Sequence, residues 1–400
     1  MSETPQSPPP SDAPPPERPD SAGMTEEQLA EAKQYGRRDL VCYLADKAID
    51  VVYLGVAAFL LAGPIDRWLA GWTWLEEIET LRLVALFLVV TAGHIAVSFP
   101  LSLYAGHVLE HRYELSTQTF AAWLWRYVKK MLLAVGFTGA MLVGIYWLIW
   151  TTGPYWWILA AVAFFLVGIL IGQLAPVLIL PLFYKSEKLD DPELAGRIGR
   201  LAQQAGLSIE GVFRLVLSDE TVKANAMLAG LGRTRRVLLG DTLLDGFTHE
   251  EIEVVFAHEI GHHARRHLGK MLVAGAVISV AGLWICDRLM AAWAAGPQGT
   301  LDYKTFPVAA LPLLMLVLTL FGTLLEPVQN AISRRFERQA DRYALEQTGM
   351  ADAYCSAFRK LAKLNKDDPN PHWLEVLLFH GHPPVGQRLA MAERTGDVRS

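Results

Sequence analysis

The chain has 400 residues, 52% of them hydrophobic and only 19% charged, with twelve Trp and a formal net charge of −5. That length allows two or three structural units, and the composition is that of a membrane protein carrying polar inserts. The mild negative charge argues against a nucleic-acid partner, and three scattered cysteines (Cys42, Cys286, Cys355) without a CxxC argue against a disulfide framework or a cysteine metal site.

In chain order, residues 1–24 form a Pro-rich tail (PPPSDAPPPERPDS) that cannot bury a core and is predicted to be disordered. No charged n-region with a short apolar h-region opens the chain, so no cleavable signal peptide is expected. Residues 25–182 read as a membrane domain. A polar helix over 25–48 leads into four apolar spans at about 49–70, 82–105, 131–151 and 155–182. Pro64 and Asp66 make the first the weakest, and Trp147, Trp150, Trp156 and Trp157 cluster at span ends as an interfacial belt requires.

Residues 183–400 read as a soluble domain interrupted by two further spans, about 270–293 and 307–329, making about six in all. Within it, 191–205 is predicted helical, 212–218 and 236–239 as short strands, and 224–229 as an edge strand between them. Polar helices follow at 332–348 and 351–365. The loop 106–130 carries Arg112, Arg126, Lys129 and Lys130, whereas the first loop sets Arg67 against Asp66, Glu76, Glu77 and Glu79. The positive-inside rule therefore places both termini and the 183–269 insert on the cytoplasmic side of a multi-pass protein.

The chemistry concentrates in THEEIEVVFAHEIGHHARRH, residues 248–267, read as one helix opened by a Thr248/Glu251 capping box. His258 and His262 stand at i and i+4, on one face and one turn apart, so both imidazoles can meet one metal ion. Glu259 lies beside them, where it can take a proton from water at the metal. His263 is rotated about 100° away, and it and His267 are expected to be neighbours rather than ligands. A site of this kind needs a third protein ligand. Glu337 and Asp341, at i and i+4 in ISRRFERQADRYALEQ, offer one carboxylate for the metal and one to hydrogen-bond a ligand imidazole. Spacing alone leaves their order open, as well as a simple charged helix face.

FAHEIGHH, followed after two spans by RRFERQAD, resembles the type I CAAX prenyl proteases, integral-membrane zinc metallopeptidases related to the membrane-bound heat-shock proteases. LEHRYELSTQT (109–119), APVLILPLFYKSEKLDDPEL (175–194), KANAMLAG (223–230), RVLLGDTLL (236–244) and HPPVGQRL (382–389) extend the resemblance over roughly residues 30–395. It implies an α-helical polytopic membrane protein with a small α+β gluzincin-like zinc metallopeptidase domain. His258, His262 and Glu337 would hold one Zn2+, Glu259 would be the general base, and Asp341 would support a ligand. Asn225 and Ala226 would grip substrate backbone, and His382 and Arg388 would lie near the scissile bond, with His380 a local rival to His382. The implied partners are the bilayer and a peptide or protein substrate, prenylated or membrane-embedded. No oligomer is indicated. The eukaryotic members have seven spans around an intramembrane chamber; here the first is replaced by the Pro-rich tail. Two other readings are a quality-control protease of the heat-shock type and a non-catalytic zinc-binding membrane scaffold. An intact Glu259 speaks against the scaffold, because a structural metal has no use for a base.

Overall fold

The computed structural model describes residues 22–230, 235–295 and 301–397. Most of the predicted tail lies outside the described residues. Its last residues do not belong to a disordered segment, however: Ala22 and Met24 are buried in an apolar cluster with Tyr354, Phe358 and Leu389.

Thr25 caps α1 (Glu26–Val56) through a reciprocal pair of hydrogen bonds with Gln28. The chain continues through a π turn into α2 (Ala62–Ala70) without a break. The expected polar helix and first span are therefore one rod, and Asp66 is tolerated in it because Arg82 reaches it at 3.1 Å. After the short α3 (Thr73–Glu77), α4 (Glu79–Leu103) runs through a second π turn into α5 (Glu110–Arg112).

A 64-residue helical stretch follows, Phe120–Phe183. Its length would be about 96 Å as one helix, some three bilayer thicknesses. Gly153, with φ 58° and ψ −132°, leaves helical geometry and divides it into α6 (Phe120–Thr152) and α7 (Trp156–Leu174), which continues into α8 (Leu180–Phe183). Trp150 and Trp156 flank the turn and hydrogen-bond Phe306 O and Asp287 Oδ1. Five stretches among the described residues are apolar and long enough to cross a membrane, and this one, turned at Gly153, is long enough to cross twice, in keeping with the expected count of about six.

Four strands follow or precede short helices: β1 (Ser186–Lys188), α9 (Pro192–Gln204), β2 (Gly211–Leu215), β3 (Ala226–Ala229), β4 (Arg236–Gly240) and α10 (Asp241–Gly246). The sheet order is β1-β2-β4-β3, with β2 and β4 parallel and both outer pairs antiparallel. β3 is an edge strand, as expected. β1 was not expected, because all three of its residues are polar and exposed and show no alternation.

Then come α11 (His249–Ala264), α12 (His267–Ala294), α13 (Leu311–Thr348), α14 (Ala351–Asn365), α15 (Trp373–Phe379) and α16 (Val385–Asp397). The last span and the polar helix expected over 332–348 are one helix. Nothing between Val328 and Ser333 stops it, since no Gly or Pro stands there and a helix carries no signal for the edge of a bilayer.

Membrane and soluble parts are stitched together on one face. Residues 113–119 lie along 218–222: Thr117 N donates to Glu220 O, Val222 N to Leu115 O, and Thr221 Oγ1 to Leu115 O. α11 packs its apolar side (Ile252, Val255, Phe256, Ile260) into a core with Val237 and Leu239 of the sheet and Ile198 of α9. The capping box that opens it is present, and Glu251 also accepts from Ser356 Oγ at 2.6 Å and Lys360 Nζ at 2.7 Å on α14.

Burial works against the Glu251 charge, but bonds from Lys360, Ser356 and the Thr248 amide outweigh it and hold the carboxyl below its ordinary range. Glu251→Ala is expected to cost about 1–3 kcal/mol, read as a lower Tm. A depressed folded pKa means the contribution is full above the unfolded value, about 4.3, and is lost as pH falls through the folded one. The Tm difference between wild type and variant should therefore shrink on acidification below about pH 4.

Candidate metal centre

α11 and α13 cross at a point fixed by a glycine. A Cβ on Gly261 would stand 2.9 Å from Ala340 Cα and 3.1 Å from Ala340 O. With hydrogen there, the helix axes approach closely enough for side chains on facing turns to converge. His258 and His262 project from α11 and Glu337 from α13, and one donor atom from each lies within 4.8 Å of the others.

The donors crowd together, with one Glu337 oxygen near each imidazole. His258 Nε2 is 3.2 Å from His262 Nε2 and 3.2 Å from Glu337 Oε2, and His262 Nε2 is 3.3 Å from Glu337 Oε1. Nitrogen and oxygen donors about 2.0–2.1 Å from a tetrahedral ion are about 3.3 Å apart, so the set has the size a metal requires. The chemistry agrees. Glu337 Oε2 is buried and makes no hydrogen bond of good geometry, though His258 Nε2 and His382 Nδ1 stand at 3.2 and 2.9 Å. Lone pairs and a carboxylate pointed at one spot need a cation there.

Charge around the site is heavily compensated. Asp341, fully buried, faces His258 Nδ1 at 2.8 Å and receives Arg388 Nε at 3.0 Å and Arg388 Nη2. Burial alone would lower the basicity of His258, but Asp341 and Glu337 outweigh it and push the imidazole up to about 9. Burial works to raise Glu337, yet His258, His262 and His382 hold it far below the usual carboxylate range. Glu259 is pushed up by burial, against the pull of the two histidines.

The sequence-predicted residues divide into two sides. His382 lies on the open side, 69% exposed, with Nδ1 2.9 Å from Glu337. Its rival His380 points to Glu375 at 3.1 Å, and its carbonyl accepts from Arg334 at 2.6 Å, so it does not join the cluster. Arg388, expected with His382 near the scissile bond, is buried beside His258, with its guanidinium 3.9 Å over the Phe358 ring, Nε and Nη2 on Asp341 and Nη2 also 3.4 Å from His258 Nδ1. The buried prolines Pro383 and Pro384 turn the chain between the two residues, and the start of α16 carries Arg388 to the closed side. Asn225 is exposed immediately before β3, with its carbonyl accepting from Gly240 N at 2.9 Å. Ala226 opens the strand, paired to Leu239.

Three features escaped the spacing argument. Gly261 sets the helix approach. Arg334 and Asn330 on α13 hold the carbonyls of Val376, His380 and Leu378, and so place the segment that leads to His382. His267, expected as a bystander, lies 3.1 Å from His262. The second was readable in principle: Glu326, Asn330, Arg334, Glu337 and Asp341 follow a 4-4-3-4 spacing, one polar stripe on a helix otherwise entering from the membrane.

Helical membrane anchoring, a small sheet and an HExxH helix facing a glutamate helix define a gluzincin-type metallopeptidase of the membrane. The model for peptidase family M48 matches residues 188–395, more than half of the chain, and the chain belongs to that family. Residues 11–185 match the CAAX prenyl protease N-terminal model, described as five membrane helices; the described residues up to 185 hold three apolar stretches of spanning length, the third long enough to cross twice.

Among curated proteins, the chain is 26% identical over 373 residues to the "Uncharacterized metalloprotease YhfN" of Bacillus subtilis, covering 93% of this chain and 87% of that one. It is 29% identical over 328 residues to CAAX prenyl protease 1 of Saccharomyces cerevisiae, covering 76% and 70%. The crystal structure of S. mikatae Ste24p superposes with a TM-score of 0.76 at 25% identity, covering 92% of this chain and 89% of that one. The protein is a multi-pass membrane metalloendopeptidase with a metal cofactor.

Gly261→Ala is expected to force α11 and α13 apart. Overpacking of this kind costs about 1–3 kcal/mol. Metal content by elemental analysis should fall along with Tm, while Gly269→Ala, where a Cβ meets nothing within 4 Å, should keep the metal and hold or slightly raise Tm.

Proposed function

We propose that the bound metal is zinc and that the protein cleaves peptide bonds near the C-terminus of prenylated, CAAX-type substrates at the cytoplasmic face. The converging His258–His262–Glu337 triangle carries the reading, because its donors suit zinc in size and type and leave one side open. Similarity to CAAX prenyl protease 1 and to Ste24p supports the substrate class. The orientation rests on the positive charge of loop 106–130, which shares its face with the metal-bearing domain.

Zinc held by His258, His262 and Glu337 would supply a Lewis acid for the scissile carbonyl and would lower the pKa of adjacent water toward neutrality. Glu259 accepts the proton of the attacking water and delivers it to the leaving amine. Its burial raises its basicity, and the two imidazoles keep the charged form accessible. His382, exposed beside the cluster, donates to the developing oxyanion. Substrate adds to the free edge of β3, where Asn225 and Ala226 grip its backbone and give affinity with little dependence on side chains. Asp341 and Arg388 act from behind, by fixing His258.

The deciding experiment is cleavage of a fluorogenic prenylated CAAX-type peptide by purified protein, with and without a zinc chelator. Wild type should cleave and the chelator should stop it. Glu259→Gln should keep its zinc and lose roughly 10²–10⁴-fold in kcat. Chelator-resistant cleavage, or a fully active Glu259→Gln, would sink the mechanism. Stoichiometric zinc without cleavage would remove the prenylated substrate class and leave unprenylated membrane proteins as the target. In the same assay His382→Ala should lose about 10²-fold in kcat, and His380→Ala should stay near wild type.

A further inference from the structure

The two histidine ligands are held from behind by different partners. His258 uses a carboxylate, Asp341. His262 uses another histidine. α11 ends at Ala264, and Arg266 takes a left-handed conformation (φ 56°, ψ 37°), so the chain turns sharply before α12 begins. The turn swings His267, the first residue of α12, back over His262. His267 is buried, with its ring stacked on Phe336 of α13 at 4.3 Å and 10° between planes.

Its two nitrogens are both engaged. Nε2 is 3.0 Å from Gln339 Oε1, and Nδ1 is 3.1 Å from His262 Nδ1. An amide oxygen only accepts, so Nε2 of His267 carries the hydrogen and Nδ1 of the neutral ring is a bare acceptor. The atom facing that acceptor, His262 Nδ1, must then be the donor. The other nitrogen of His262, Nε2, is left with its lone pair toward His258 Nε2 and Glu337 Oε1, at 3.2 and 3.3 Å.

We infer that Gln339 and His267 form a relay that fixes the tautomer and orientation of His262 for the metal. His267 is thus a positioning residue, not a ligand. The inference rests on the metal-centre reading above and adds the second support of that centre. It also ties a ligand to the first turn of a membrane-crossing helix, since α12 starts at His267 itself.

Two substitutions separate hydrogen bonding from packing. His267→Phe keeps a flat ring against Phe336 but has no acceptor. His267→Asn loses the stack but places an amide oxygen near the position of Nδ1. Metal-stripped, full-length protein in lipid nanodiscs is titrated with Zn2+ against a chelator, and Co2+ uptake is followed by its visible absorption band. His267→Phe should bind Zn2+ roughly 10–100-fold more weakly than wild type and show an altered Co2+ band. His267→Asn should remain within a few-fold of wild type with an unaltered band.

Equal losses in both variants, or wild-type affinity in His267→Phe, would reduce His267 to a packing residue and overturn the relay. Should His267→Phe fail to fold, the outer member decides. Gln339→Leu should weaken Zn2+ binding while Gln339→Glu, still an acceptor, should not, and identical behaviour of the two would overturn the relay. Wild type taking up no metal at all would instead defeat the metal centre, which keeps the two failures apart.

Discussion

The contact between Gly261 and Ala340 is the constraint on which the rest of the site depends. Two helices that touch through backbone can bring short side chains from facing turns to one point; two helices separated by a methyl group cannot do so without shifting. The distances near 3.2 Å among His258, His262 and Glu337 follow from that approach. Burial holds His258 and Glu337 in place before a cation arrives, so less side-chain entropy remains to be lost when it does.

That convergence has an electrostatic cost. Glu337 and Asp341 are both buried on one helix, and an unpaired buried carboxylate is strongly disfavoured. The C-terminal segment supplies the compensation. Arg388 neutralises Asp341 from the closed side, and its guanidinium sits over the Phe358 ring. His382 meets Glu337 from the open side. One short stretch, HPPVGQR, therefore serves both sides of the metal. The tight turn at Pro383 and Pro384 is what lets residues six apart do so. Removing Arg388 would leave a buried charge without a partner, which generally costs more than the intact pair contributes.

Much of this was legible in the sequence because local rules and global placement agree there. The Thr248/Glu251 capping box, the i, i+4 histidines and the i, i+4 acids are consequences of one helical period, and they stand where the spacing put them. The apolar stretches of spanning length and the edge position of β3 were likewise readable from apolar runs and turn residues. Three features were not readable. α13 was divided into a span and a polar helix because its composition changes at the membrane surface, although its backbone does not. His267 was assigned to the same helix as His262, and the left-handed Arg266 that breaks that helix has no signature in a residue type tolerant of most conformations. The burial of Arg388 beside His258 was hidden as well, because a motif fixes sequence distance, whereas which side of the site a residue reaches depends on the turn between.

The polar stripe on α13 joins these observations into one device. Glu326 lies near the membrane end, where Tyr43 and Lys47 of α1 reach its carboxylate. Asn330 and Arg334 come next and hold three carbonyls of the segment 376–380. Glu337 and Asp341 follow and face the metal site. Spaced 4-4-3-4, these side chains share one face, so a single rigid helix sets the register of everything it touches. A charged group inside a crossing is tolerated only toward a polar interior, and Lys47, Glu326, Asp50 and His94 are accordingly paired with one another between helices. The ion-paired membrane end at Glu326 and the reaction centre at Glu337 are thus two stretches of the same helix face, with no break in the helix between them.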